Sequence, residues 1–134
     1  MKVLVFGVFD TLHPGHIYFL QEASNWGDEL HICLASDEYV QNYKHKNPIH
    51  SFPLRSQMIK DKFPNVVIHK GDVEIGNWSI FNEIIPDIIA LGYDQEKLHM
   101  ALIDLTLVQE NTKIIHIKPF QTDIYNTTKM NANK

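Results

Sequence analysis

Ten residues near the amino terminus, Gly7-Val8-Phe9-Asp10-Thr11-Leu12-His13-Pro14-Gly15-His16, bring together groups suited to handling an anion. His13 and His16 flank Pro14-Gly15, and imidazoles donate hydrogen bonds to phosphate oxygens. Pro14 sets φ near the value a helix needs at its entry, and Gly15 carries no Cβ to block an anion approaching the backbone. A helix starting there turns its free N–H groups toward the same anion. Three readings fit these residues. One is a phosphate-binding turn, which uses most of them. Another is a turn with two surface histidines. The third is a zinc site with H-x-x-H spacing, for which no neighbouring Cys or third His offers a further ligand.

Such a turn needs a scaffold, and the pattern of the chain supplies one. Val3–Phe9, Glu29–Ala35, Val66–His69, Asp87–Leu91 and Lys113–Ile117 are short apolar runs rich in Val and Ile, and each predicts a buried strand. Between them, Ile17, Leu20, Ala23 and Ser24 form a small stripe at helical spacing, as do Leu98, Ala101, Leu102, Leu105 and Val108. Tyr39–Tyr43, Leu54–Ile59 and Trp78–Ile85 are weaker helical segments. Strands alternating with helices predict a parallel α/β sheet covered on both faces. In such sheets ligands bind beyond the carboxyl ends of the strands, where the ten-residue turn lies. The segment Lys44–His50 reads as an exposed loop.

Composition narrows the class. With 134 residues and no repeat or linker, one domain over 1–134 is expected. Lys plus Arg number 12 against 16 Asp plus Glu, for a net charge of −4, which disfavours a nucleic-acid face. Cys33 is the single cysteine, so neither a disulfide framework nor a Cys-cluster metal site can form within the chain. No apolar run approaches the ~20 residues that span a bilayer. Met1-Lys2 leads straight into Val3-Leu4-Val5-Phe6, which reads as strand and not signal peptide, so a cytoplasmic protein without membrane partners is expected.

The ten-residue turn resembles the G-T-F-D-x-x-H-x-G-H signature of the cytidylyltransferase-like nucleotidyltransferases, and the resemblance runs along nearly the whole chain. The superfamily includes glycerol-3-phosphate cytidylyltransferase, phosphopantetheine adenylyltransferase, heptose-phosphate adenylyltransferase and the archaeal-type FAD synthases. The resemblance implies a Rossmann-like five-stranded sheet of order 3-2-1-4-5. It also implies attack of a phosphate-bearing acceptor on the α-phosphorus of a nucleoside triphosphate, with Mg²⁺ and release of pyrophosphate. By resemblance, His13 and His16 hold triphosphate oxygens and stabilise the transition state. Asp10 takes a place near the metal and the acceptor, and Val8, Phe9 and Gly15 belong to the nucleotide-binding turn. Val8 stands where the family usually has Thr, so a hydroxyl contact is missing.

Three further stretches carry the resemblance. Lys44, Lys46 and Arg55 read on their own as a solvated basic loop. By resemblance Lys44 and Lys46 reach acceptor or triphosphate charge, and Arg55 steadies the phosphates. Such cations suit a reaction that concentrates negative charge. Gly92-Tyr93-Asp94-Gln95 reads as a strand end and a helix start, and the resemblance sets Gly92, Tyr93 and Asp94 beside base or ribose. Asn126, Thr127, Thr128 and Lys129 resemble the family's closing motif and are assigned to the β- and γ-phosphates. Asn131 replaces a basic residue often found there, and Gln121 sits where the cytidylyl branch places Arg. His31, His45, His50, His69, His99 and His116 show no motif spacing and are assigned to the surface or to strand edges.

The L-G-Y-D-Q wording and Gln121 favour ATP with FMN as the substrate pair, and the family implies a homodimer. The T-T-K wording and the Lys44/Lys46 pair keep CTP with glycerol 3-phosphate open, beside sugar-phosphate acceptors. A nucleotide-binding module without turnover is the non-enzymatic alternative, and retention of both signature histidines speaks against it.

Overall fold

The computed structural model describes residues 1–73, 77–104 and 111–119. The five apolar runs form strands β1 (Lys2–Gly7), β2 (Glu29–Leu34), β3 (Val67–Lys70), β4 (Ile88–Gly92) and β5 (Lys113–Ile117). They make one sheet in the order β3-β2-β1-β4-β5, all pairs parallel. Helices α1 (Pro14–Ser24), α2 (Asp37–Tyr43), α3 (Phe52–Lys62), α4 (Ile80–Glu83) and α5 (Glu96–Asp104) connect them. This is the Rossmann-like α/β order that the family resemblance implied.

Alternation along β1 divides the core in two. Val3 and Val5 face one side with Leu20 and Ala23 of α1 and Ile59 of α3, all fully buried. Leu4 faces the other side with Ile80 and Ile84 of the α4 region and Leu102 of α5. Helices therefore cover both faces, and each fully buried Val, Leu or Ile side chain contributes roughly 1.5–3 kcal/mol of burial free energy. Burial also pushes the Cys33 thiol up to about 12, so it stays protonated at neutral pH.

Local boundaries differ from the sequence pattern in informative ways. β1 stops at Gly7, so Val8 and Phe9 leave the extended run expected to reach Phe9. Phe9 takes φ 48°, and its ring folds back so closely that a Cβ on Gly7 would lie 2.4 Å from Phe9 Cε2. Only glycine at position 7 tolerates that approach. β2 ends at Leu34 because Ser36 caps α2, its Oγ accepting from Tyr39 N at 3.0 Å. The helix expected over 78–85 contracts to the four residues of α4, with Trp78 at φ 52° ahead of it. Leu105 and Val108 lie outside the described residues.

Register opens the crevice. β1 pairs with β2 along its whole length, from Lys2↔Glu29 to Gly7↔Leu34. Its pairing with β4 is confined to Val3↔Ile88 and Leu4↔Ile89. The two central strands thus part toward their carboxyl ends, at the point where strand order reverses, and the ten-residue turn stands over that gap.

Candidate active site

The turn after β1 builds its own helix start. His13 is the N-cap of α1, with Pro14 following, and its Nδ1 accepts from Gly15 N at 3.1 Å and His16 N at 3.3 Å. An accepting Nδ1 leaves the ring proton of the neutral imidazole on Nε2, where it is available to a ligand. A Cβ on Gly15 would lie 2.9 Å from His13 Cε1, so the missing side chain leaves room for the imidazole that caps the helix.

His16 is organised differently. Its Nδ1 lies 2.7 Å from Thr11 O, so it donates to that carbonyl, and neutral Nε2 then carries a lone pair. Its ring stacks on His13 with centroids 3.7 Å apart and meets the edge of Phe9 at 5.3 Å. Burial first, then the neighbouring His13, push its pKa below the ordinary imidazole value against the pull of Thr11 O and the Asp94 carboxylate. With these hydrogen bonds His13 presents an N–H donor at Nε2, and His16 in its neutral form presents a lone pair there. An arriving polyanion favours protonation of His16, which turns the pair into two donors.

Beneath the turn lies a polar knot. Asp10 accepts from Ile49 N at 2.7 Å and His50 N at 2.8 Å, and His50 Nδ1 donates to Asp10 O at 2.6 Å. Burial would raise the Asp10 pKa, but the two backbone N–H groups, with Arg55 and His50, outweigh it and hold the carboxylate below its usual range. Arg55 is fully buried. Its guanidinium donates to His50 O at 3.0 Å, Val8 O at 2.9 Å and Asp37 Oδ1 at 2.7 Å. Asp37 Oδ2 in turn accepts from Phe52 N at 3.2 Å. Arg55 thus ties the turn, the start of α2 and the end of the 44–50 loop together. Arg55, expected by resemblance to steady the phosphates, is thus fully buried and spends its guanidinium on these three acceptors.

Lys44 and Lys46 stand exposed in the loop above the knot. Among the described residues neither forms an ion pair, so both ammonium groups are free to meet an anion. Across the crevice Gly92 ends β4, with Tyr93 and Asp94 exposed beyond it. Gln95 braces this edge: its Oε1 accepts from Gly92 N at 2.8 Å and its Nε2 donates to Phe6 O at 3.1 Å, spanning the gap between β4 and β1. Asn126, Thr127, Thr128 and Lys129, with Gln121 and Asn131, lie outside the described residues.

Asp37, His50 and Gln95 escaped the sequence reading as site residues. Asp37 follows a capping serine and reads as an ordinary first-turn acid, and His50 has no motif. Gln95 alone had a signal, its place three residues after a strand-ending glycine. Two other histidines assigned to the surface or to strand edges prove to be linked, and His31 corrects that assignment, being buried on β2 between β3 and β1: its Nδ1 lies 2.8 Å from His69 Nε2, with Glu29 and Glu83 at the outer ends of the chain.

A parallel sheet in this order, parted at its switch point and faced there by a capped helix start with two histidines, makes a Rossmann-like fold whose crevice suits a phosphate-bearing ligand. The chain belongs to the cytidylyltransferase-like family, whose model matches residues 4–133. It is 42% identical over 99 residues to the FAD synthase of Aciduliprofundum boonei, covering 72% of this chain and 63% of that protein. It is 37% identical over 134 aligned positions to the FAD synthase of Thermococcus sibiricus, covering 97% and 89%. A solved structure titled as a lipopolysaccharide core biosynthesis protein from Thermoplasma volcanium superposes with a TM-score of 0.70 at 30% identity, covering 90% of this chain and 98% of the other. No helix among the described residues is long and apolar enough to cross a membrane.

Proposed function

We infer that this chain transfers the adenylyl group of ATP to FMN, forming FAD and releasing pyrophosphate. The observation that carries the substrate pair is the similarity to the Thermococcus sibiricus FAD synthase along nearly the whole chain. The parted switch point and its histidine turn are where the chemistry would run. An FMN phosphate oxygen attacks the α-phosphorus of ATP, a new P–O bond forms, and the bond to the β-phosphate oxygen breaks. A phosphate monoester has its second pKa near ~6, so the acceptor is largely dianionic at neutral pH and needs no protein base.

What remains for the protein is to align two anions and to stabilise charge on the leaving group. His13 Nε2–H and protonated His16 serve the triphosphate with the α1 amides. Lys44 and Lys46 offset repulsion between the substrates from the loop above. Gly92, Tyr93 and Asp94 line the nucleotide side, and Val8, Phe9 and Gly15 shape the floor of the turn. Asn126, Thr127, Thr128 and Lys129 are assigned to the β- and γ-phosphates on the sequence motif alone. Asp10 fits a cation of the Mg²⁺ type, which is commonly held by one or two carboxylates plus substrate phosphates, since its ionised oxygens keep lone pairs beside the two N–H bonds they accept. Bound there, Mg²⁺ would neutralise triphosphate charge. The exposed Tyr43, 5.1 Å from Tyr39 between ring centroids, offers an aromatic surface near the loop for an isoalloxazine.

Pyrophosphate release is measured with ATP and CTP, each crossed with FMN, glycerol 3-phosphate, phosphopantetheine and sugar phosphates. Release from ATP with FMN, with FAD recovered, is the expected result. Release confined to CTP with glycerol 3-phosphate, or to a sugar phosphate, overturns the substrate assignment. A homodimer is proposed from the family resemblance, and sedimentation at micromolar concentration showing a single 15.5 kDa species would remove it.

A further inference from the structure

The tertiary structure gathers two of the histidines outside the active-site turn with a carboxylate. Glu96 and His99 sit one helical turn apart on α5, and His116 sits on β5. His116 Nε2 lies 2.8 Å from His99 Nδ1, and His99 Nδ1 lies 3.9 Å from Glu96 Oε2. One donor atom from each residue falls within 4.8 Å of the other two. We propose that Glu96, His99 and His116 form a binding site for a borderline divalent cation, Zn²⁺ being the best match, held by two imidazole nitrogens and one carboxylate oxygen.

In the hydrogen-bonded pair one ring nitrogen holds a proton and the other a lone pair. A cation in place of that proton uses both lone pairs and adds the carboxylate. Tetrahedral zinc with Zn–N bonds of about 2.0–2.1 Å separates two ligating nitrogens by about 3.3 Å. The observed 2.8 Å separation therefore has to widen only slightly. Two ligands share one helix face at i and i+3, and the third projects from the neighbouring strand, so the donors stand on regular elements. Three protein ligands leave a fourth position to water. Glu96 and His116 are exposed, which gives the cation an entry path.

The donor set separates this site from the triphosphate cation. Mg²⁺ takes oxygen ligands in near-octahedral geometry, whereas an imidazole pair suits Zn²⁺, Co²⁺ or Ni²⁺. An occupied site would pin α5 to β5, next to the Gln95 brace at the start of that helix. This cation site involves none of the residues that meet the acceptor.

Zn²⁺ titration calorimetry on the full chain, in excess Mg²⁺, tests it, with Co²⁺ absorption as a second readout. One equivalent of Zn²⁺ per chain and visible Co²⁺ bands of a four-coordinate nitrogen–oxygen site are expected. His99→Ala and His116→Ala should each weaken binding by at least about tenfold, and the exposed Glu96→Gln should weaken it without disturbing the fold. Circular dichroism confirms that each variant is folded. Absence of Zn²⁺ binding in the wild type overturns the proposal. So does undiminished affinity in all three variants, or loss only when His13 and His16 are replaced.

Discussion

Lys44, Lys46 and Arg55 look alike in the sequence, a basic trio around one proline loop, yet the structure gives them opposite surroundings. Arg55 is fully buried and spends its guanidinium on Asp37 and the carbonyls of Val8 and His50. Lys44 and Lys46 are exposed with no ion pair among the described residues. The guanidinium is a planar fork with donors in fixed directions, and it can join three segments at once. An ammonium on a flexible stem cannot do so, but it can follow a moving substrate. The buried arginine thus holds geometry below the turn, and the role proposed for the two exposed lysines above it is to meet substrate charge.

The largest expected effect separates the two regions directly. Arg55→Ala leaves Asp37 and two carbonyls without their buried partner and should cost about 3–5 kcal/mol in urea unfolding. If Arg55→Ala instead keeps its stability and loses only activity, Arg55 belongs with the lysines and the division fails. At the turn, His13→Ala should lower turnover by at least ~100-fold, the scale for losing one transition-state donor. His13→Ala also removes the α1 cap, worth about 1 kcal/mol. His13→Asn sharpens the reading, since Asn caps a helix well but lacks an N–H at the Nε2 position. Turnover should stay low in His13→Asn while stability recovers.

Lys44→Ala should raise KM about tenfold or more, the range for losing one hydrogen bond to a charged group. Its stability should stay within about 0.5 kcal/mol of wild type, as for other exposed positions. A melting temperature that falls in Lys44→Ala would place the loop inside the holding region.

The smallest effect is on pH. The His16 pKa lies below that of an unfolded histidine, so the unfolded chain takes up protons first on acidification. The contribution of His16 is therefore fully present above about pH 6.5 and is lost as pH falls through its lowered folded value. Asp10 acts in the same direction at lower pH, since its depressed pKa gives stability that disappears as the carboxylate protonates. Melting temperatures measured from pH 7 downward should fall, and His16→Gln should flatten the upper part of that fall. An unchanged slope in His16→Gln would mean that His16 is not buried in neutral form.

Much of this molecule was legible from local pattern. The five apolar runs became the five strands to within two residues at each end, because a buried parallel strand needs only a short stretch of Val, Ile or Leu. The helix at Pro14 and the exposure of the 44–47 loop followed from residue type in the same way. The H-x-G-H turn was visible because its residues are neighbours in the chain. Phe9 was misplaced in the strand since its left-handed φ goes with a ring lying over Gly7 and against Phe19, which no count of apolar residues displays.

The chain by itself thus determined the sheet order's ingredients, the histidine turn and its family. Tertiary structure alone decided that Arg55 lies beneath the site, that Gln95 spans β4 and β1, and that Glu96, His99 and His116 converge. The physical reason is one of range. Periodicity and capping are set by neighbours within a few residues, whereas the desolvation of a guanidinium and the meeting of two imidazoles depend on which distant segments the fold brings together.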